Sequence, residues 1–219
     1  MTWFANVFGL ICKGGPVMVP LMACSIISVA VMIERYMRLR DAAGDSAGLM
    51  SRVENHLTLG KYREAVQACE RAGTPVGSML ASGLTCAQGD AKSAEQCMEE
   101  HAIKMTPEVF KRLSILDTII TIAPLLGLLG TVTGMIRSFN VISTKSGIGT
   151  PMAITGGVAE ALIATATGLA IAIVTLVAYN YLTEKAKAVV SDMEIHGTRL
   201  VNILTSGTEE RNEAKAIGA

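Results

Sequence analysis

Three apolar stretches interrupt the otherwise polar pattern of the chain. They cover residues 15–33, 118–137 and 151–182, and the third contains a single charged residue, Glu160. Each stretch has the roughly 20 mostly apolar residues that a helix needs to cross the hydrocarbon core of a bilayer. The pattern therefore predicts three transmembrane helices, and an odd number of spans puts the two termini on opposite sides of the membrane.

Helical periodicity continues outside these stretches. Residues 34–117 have a helical pattern punctuated by glycines, and the segment that starts at Ala91 is expected to run almost continuously into the second span with a bend at Pro107. The third helix meets no breaker before Gly197 and is expected to continue into residues 183–219. The predicted fold is an all-α integral membrane protein whose long helices extend into a cytoplasmic helical bundle.

The orientation follows from the basic residues, which accumulate on the cytoplasmic side of a membrane protein. Of the 19 Lys and Arg, 16 lie in segments 34–117 and 183–219, which we therefore place in the cytoplasm. The N-terminus and the short loop 138–150 are placed in the periplasm. Residues 1–14 have Trp, Phe, Val and Ile on one helical face, which predicts an amphipathic helix that lies on the periplasmic surface of the same membrane. A tilted extension of the first span is the alternative for that segment.

Composition supports a membrane protein and excludes several other classes. The chain has 50% hydrophobic and 17% charged residues, whereas soluble domains have about 25% charged residues. Its net charge of zero argues against nucleic-acid binding. The five cysteines have no CxxC spacing, which favours unpaired thiols in a reducing compartment over a metal site. No catalytic motif or phosphate-binding loop is present, so neither enzymatic activity nor a cofactor is expected.

Small residues follow one face of the second and third spans. Gly127 and Gly134 belong to the first of these stripes, and Ala161 and Gly168 belong to the second. Small residues let helix backbones approach closely in a membrane, and threonine hydroxyls can form hydrogen bonds across such a contact. The stripes also include Thr131 in the second span and Thr165 in the third. Helix packing alone is the simpler explanation of this pattern.

Glu160 suggests more than packing. A carboxylate at membrane depth costs at least about 2.5 kcal/mol, so such residues face a cavity or a partner and are functional candidates. Glu160 follows Pro151 by about 13 Å at helical rise, which places it in the outer half of the membrane. On an ideal helix it points about 140° away from Thr165. A neutral, protonated glutamic acid buried for structural reasons is the alternative.

At these residues the chain resembles the MotA, TolQ and ExbB family of proton-channel subunits, specifically its three-span ExbB and TolQ branch. The resemblance rests on the segments "GPVMVPLMACSIISVAVMIER", "APLLGLLGTVTGMIRSF" and "GGVAEALIATATGLAIAI". It implies an inner-membrane homo-oligomer, a pentamer, around two copies of a single-span ExbD-like or TolR-like protein that supplies a membrane aspartate. A TonB-like protein is a further partner in the branch that energises TonB-dependent transport.

The resemblance also assigns roles to individual residues. The threonines beside the partner's aspartate match Thr131 and Thr165, and the family's membrane glutamate matches Glu160. Together they would form the proton pathway. One departure is Thr133, where some members of the family have a tryptophan, so the polarity of that helical turn differs.

Two hypotheses follow from these observations. The first is a proton-channel or stator subunit that converts the proton motive force into mechanical work for an outer-membrane or envelope process, with TonB-dependent transport favoured. The second is a membrane scaffold without ion conduction, whose small residues only hold helices together and whose cytoplasmic helices recruit partners.

Overall fold

The computed structural model describes residues 15–87, 90–144 and 151–217, with side chains left out of the description at 141–144, 151–154 and 208–217. The predicted helix at residues 1–14 and the loop residues 145–150 lie outside these ranges. The described residues form helices and no strand, which confirms the all-α prediction. In chain order the helices are α1 (Met18–Ala42), α2 (Ser46–Thr58), α3 (Tyr62–Ala72), α4 (Pro75–Ala87), α5 (Ala91–Phe110), α6 (Leu113–Thr144) and α7 (Pro151–Ile217).

Three segments are long and apolar enough to cross a membrane, which confirms the three predicted spans. They contain the apolar parts of α1, α6 and α7, and their most apolar windows have mean hydropathies of 1.7, 2.0 and 2.3. Helix α7 is a single helix of 67 residues, or about 100 Å at 1.5 Å per residue. This length is about three times the roughly 30 Å thickness of the hydrocarbon core, so α7 continues far beyond its apolar part.

The chain divides into two compact units. Unit 1 comprises Met1–Glu34 and Arg112–Tyr181, and unit 2 comprises Arg35–Lys111 and Leu182–Ala219. Unit 1 therefore holds the apolar parts of α1, α6 and α7. Unit 2 holds α2 to α5 together with the remaining parts of α1 and α7.

Unit 2 is organised around large apolar side chains. Asp45 begins α2 by accepting a hydrogen bond from the backbone N–H of Gly48 at 2.8 Å, and Gly73 ends α3 in the left-handed conformation that glycine adopts readily. The core collects fully buried residues from α2, α4 and α7, including Leu49, Met50, Val53, Leu80, Met193 and Leu200.

Cys86 of α4 and Cys97 of α5 form a disulfide, with their Cα atoms 6.4 Å apart. The expectation of unpaired thiols is wrong for this pair. The connection between α4 and α5 is only three residues long, so the two helices form a hairpin that brings the two cysteines together. Cys24 and Cys69 are free thiols.

The helix is interrupted between α5 and α6, which corrects the expectation of an almost continuous helix. Pro107 lies inside α5 and does not end it. The break comes at Arg112, which has a positive φ of 61°. The Arg112 guanidinium donates a hydrogen bond to the carboxylate of Glu34, which is the last residue of α1 that belongs to unit 1.

Candidate functional site

Helices α6 and α7 pack backbone to backbone through glycines. A Cβ atom added at Gly127 would lie 3.0 Å from the Cα of Thr165, and one added at Gly134 would lie 2.9 Å from the Cβ of Ala161. With contacts this short, an added side chain would force atoms of the facing helix to move. These positions therefore favour glycine for steric reasons, which is how small residues bring helices together in a membrane.

The contact between the two helices continues in both directions along their antiparallel axes. Gly168 lies against the carbonyl of Ala123 at one end, and Gly157 lies against the Ser138 side chain at the other. The α6–α7 seam is defined here by these pairs together with Gly127–Thr165 and Gly134–Ala161. It covers four helical turns of α6, from position 123 to position 138.

Gly130 belongs to the seam, although the sequence pattern pointed to its neighbour Thr131. A Cβ atom at Gly130 would lie 2.5 Å from the Cβ of Ala164, whereas Thr131 is only partly buried. The Thr131 hydroxyl donates to the carbonyl of Leu128 on its own helix, at 2.7 Å. Thr131 therefore lies beside the seam with its hydroxyl bonded within α6.

Thr165 makes a different bond. Its hydroxyl donates to the carbonyl of Gly127 across the seam, at 2.9 Å, and so links α7 to α6. A threonine hydroxyl that donates to one carbonyl still has lone pairs with which to accept a hydrogen bond from a third group. Thr167, two positions further along, donates to the Ile163 carbonyl of its own helix at 2.8 Å.

Glu160 has a partner within the same chain. Its Oε1 accepts a hydrogen bond from Nη1 of Arg137 on α6, at 2.9 Å, and a quarter of its side-chain surface remains exposed. Gly15, just before α1, has a φ of +73°, and a Cβ atom at Gly15 would collide with the Glu160 carboxylate. The sequence marks Arg137 only as the end of a span, because its contact with Glu160 depends on the register of the α6–α7 seam.

A second polar contact was also missed by the sequence analysis. Ser28 of α1 and Thr175 of α7 are both buried, and their hydroxyl oxygens lie 2.8 Å apart. The Thr175 hydroxyl also donates to the carbonyl of Ile171, at 2.7 Å. Since a hydroxyl has one proton, Ser28 is the donor in the bond between the two helices. This bond joins α1 to α7 within unit 1.

The remaining titratable groups indicate surface or structural roles. Within the described part of the chain, no three His, Cys, Asp or Glu side chains are grouped to hold a metal ion. Hydrogen bonds from Lys104 and Lys111 lower the pKa values of Glu100 and Glu108, respectively. Burial raises the pKa of the Cys69 thiol to about 11, so that thiol stays protonated at neutral pH.

Comparison with known proteins agrees with the membrane architecture. The model of the MotA/TolQ/ExbB proton channel family matches residues 71–195, which include the α6–α7 seam. An ExbB-like biopolymer transport protein of Synechocystis is 33% identical over 76% of this chain and 80% of its own length.

Two further relatives cover a similar share of the chain. The Tol-Pal system protein TolQ of Haemophilus influenzae is 32% identical over 80% of this chain and 82% of its own length. The biopolymer transport protein ExbB of Neisseria meningitidis is 26% identical over 83% of this chain and 89% of its own length. With three apolar helices, a glycine-lined seam and these relatives, the chain belongs to the MotA/TolQ/ExbB proton channel family.

Proposed function

We propose that this chain is the channel subunit of an inner-membrane complex that converts the proton motive force into mechanical work. The observation that carries the proposal is the hydrogen bond from the Thr165 hydroxyl to the Gly127 carbonyl, 2.9 Å long, between two apolar helices of a proton-channel family member. The Thr165 hydroxyl is a partly buried polar group between two apolar helices of unit 1, where a proton carrier on a partner helix would form a hydrogen bond with it.

The proton carrier itself is proposed to come from a partner. Thr131 and Thr165 offer hydroxyls but no group that titrates near neutral pH, and Glu160 is paired with Arg137. A single-span protein of the ExbD or TolR type would supply the missing carboxyl as a membrane aspartate. Thr131 and Thr165 would line its path.

A ring of chains, a pentamer, is proposed to enclose two such partner helices. The exposed surface of unit 1 supports an assembly, because large apolar side chains point outward from α6 and α7. The exposed ones include Leu125, Leu128, Phe139, Leu162, Ile173 and Val177. In a ring, part of this surface would contact neighbouring chains and the rest would contact lipid.

The orientation is proposed from charge. Unit 2 carries most of the Lys and Arg, which favours the cytoplasm for unit 2 and for the C-terminus, with the N-terminus in the periplasm.

TonB-dependent transport, with a TonB-like protein as a further partner, is the favoured process. The two relatives named ExbB and ExbB-like support this choice over the one named TolQ.

One observation favours the alternative of a non-conducting scaffold. Both threonine hydroxyls donate to backbone carbonyls, and the Thr165 bond joins two helices. A residue that only stabilises packing would make such bonds. The two functions are separated by removing each hydroxyl at nearly constant volume.

The experiment compares Thr165→Val with Thr167→Val, and Thr131→Val with Thr133→Val. Each control lies two positions along the same helix and points about 200° away, and its hydroxyl bonds only to its own helix. The variants are co-expressed with an ExbD-like partner, and proton flux is measured in proteoliposomes. Native mass spectrometry of the same samples reports the assembly.

If the chain is a channel subunit, Thr165→Val and Thr131→Val should each reduce proton flux by about tenfold or more, because each removes a group that acts on the transported proton. The oligomer should persist in both variants. The two controls should keep their flux. If Thr165→Val dissociates the oligomer, or if all four variants conduct like the unmodified protein, the scaffold is favoured and the proposal fails.

A further inference from the structure

The pair formed by Arg137 and Glu160 lies where three helices of unit 1 meet. Arg137 comes from α6 and Glu160 from α7, with 2.9 Å between Nη1 and Oε1. Gly15, at the entry to α1, fits against the same carboxylate because it has no side chain. A single carboxylate on α7 therefore contacts α6 and the residue that leads into α1.

This pair has a counterpart at the other end of unit 1. Arg112, just before α6, is bonded to Glu34 on α1. Arg112 and Arg137 are 25 positions apart along the chain, a distance of about 37 Å at 1.5 Å per residue, which slightly exceeds the roughly 30 Å of the hydrocarbon core. Each end of the apolar part of α6 thus has an arginine bound to a glutamate of a neighbouring helix. The Arg137–Glu160 pair consequently lies near one membrane surface.

The chemistry of the pair favours a charged carboxylate. Hydrogen bonds between guanidinium and carboxylate groups are charge-assisted, and arginine remains protonated at every relevant pH. A proton on Glu160 would remove the charge-assisted part of this hydrogen bond and leave the arginine without its counter-charge. The geometry thus gives Glu160 a fixed counter-charge on the neighbouring helix.

We propose that Arg137 is the resident counter-charge of Glu160 and that Glu160 is an ionised positioning residue, not a carrier of the transported proton. The pair fixes α6 and α7 relative to each other and to the start of α1, and thereby holds the Thr165 region of the seam in register. This inference rests on the proposed channel function and restricts it, because it leaves the partner's aspartate as the proton carrier.

The test is a double-mutant cycle of Arg137→Gln and Glu160→Gln, with Arg137→Lys as the conservative variant. Lys187→Gln and Glu184→Gln are the matched controls, because this pair also lies on α7 but is an exposed pair three positions apart with a separation of 3.0 Å. Proton flux is measured with the ExbD-like partner in proteoliposomes. Infrared spectra of each protein report whether its carboxyl groups are charged or protonated.

We expect each single Gln variant to reduce proton flux by about tenfold and the double variant to conduct no worse than either single one. The reason is that substitutions of two charges in contact have strongly non-additive effects. Arg137→Lys should recover most of the flux, and the Lys187 and Glu184 controls should be unchanged. In the infrared spectra, Glu160→Gln should remove a carboxylate band from the spectrum of the unmodified protein.

Two results would overturn the proposal. One is a Glu160→Gln protein that loses a protonated-carboxyl band instead of a carboxylate band. The other is an Arg137→Gln protein that conducts normally while Glu160→Gln does not. If no protein conducts, the channel function fails, but the infrared comparison still decides whether Glu160 is charged. The failure of the function and the failure of the ion pair are therefore distinguishable.

Discussion

The α6–α7 seam of unit 1 and the core of unit 2 bury side chains of different sizes. Along the seam the buried residues are small, such as Ala123, Ala161, Ala164 and Ala172, while many leucines and isoleucines of the same helices are exposed. Large buried side chains of α6, such as Leu116 and Ile119, lie near the start of that helix. In unit 2 the fully buried residues are large, among them Leu49, Met50 and Leu80. This difference in the size of the buried side chains is expected if lipid surrounds unit 1 and water surrounds unit 2. Burying a leucine against another helix gains free energy when the alternative is water, but not when the alternative is lipid.

The same comparison explains where the polar contacts lie. Within unit 1, hydroxyl groups and charged pairs link different helices, as seen for Thr165 with Gly127 and for Arg137 with Glu160. In unit 2 some ion pairs, such as Lys187 with Glu184 and Lys104 with Glu100, are exposed and lie within one helix. There the contacts between helices come mainly from the apolar core.

The largest expected effect is in unit 2. Leu80→Ala should lower the free energy of unfolding by about 2–5 kcal/mol, because it removes a fully buried leucine from the core. Leu59→Ala, at a position that is 63% exposed, should change it by no more than about 0.5 kcal/mol. Denaturant unfolding followed by circular dichroism measures both. Equal losses would mean that unit 2 is not held by its apolar core.

A glycine substitution tests unit 1. Gly168→Ala puts a methyl group against the Ala123 carbonyl and should cost about 1–3 kcal/mol, as overpacking does. Gly156→Ala is the matched control on the same helix, since a Cβ atom there meets nothing within 4 Å. It should stabilise the protein by up to about 1 kcal/mol through helix propensity. Thermal unfolding in detergent gives both values, and changes of the same sign would contradict the seam.

The hydrogen bond between Ser28 and Thr175 should contribute less. A cycle of Ser28→Ala and Thr175→Val should give a coupling of about 0.6 kcal/mol, the average for hydrogen bonds between membrane helices. Thermal unfolding of the two single variants and the double variant supplies the coupling. Strictly additive losses would show that the two hydroxyls, although 2.8 Å apart, do not stabilise each other.

The smallest effect at neutral pH concerns Cys69. Its pKa is raised from 9.0 to about 11 by burial, so the folded protein holds this proton more tightly than the unfolded chain does. The resulting stabilisation is complete below pH 9 and is lost as the pH rises toward 11. Alkylation followed by mass spectrometry should find Cys69 unmodified at pH 8 and increasingly modified as the pH approaches 11. Rapid modification at pH 8 would show that the thiol is accessible.

Much of the fold could be predicted from local sequence. The three apolar stretches have the length and hydropathy of spans, and the glycine-punctuated pattern of residues 34–117 forms helices such as α3, which ends at Gly73. The break before α6 could not be predicted in the same way. A proline within a helix removes one hydrogen bond and is often tolerated, as Pro107 is, whereas nothing in the sequence signals the positive φ of Arg112.

The candidate site was less accessible to sequence reasoning because it depends on how helices are paired. An ideal helical stripe cannot choose between the neighbouring positions 130 and 131, and the register of the seam selects Gly130. The contact of Glu160 with Arg137 and the disulfide between Cys86 and Cys97 have the same origin. Each joins residues on adjacent helices whose relative positions are set by packing and not by local pattern.

The most direct test of the proposed function is proton flux through the protein in liposomes, with and without an ExbD-like partner. A third sample contains the partner with the aspartate of its membrane helix changed to asparagine. The account predicts flux only when the intact partner is present, because the partner's carboxyl carries the proton past Thr131 and Thr165. Equal flux in all three samples, or none in any of them, would contradict it.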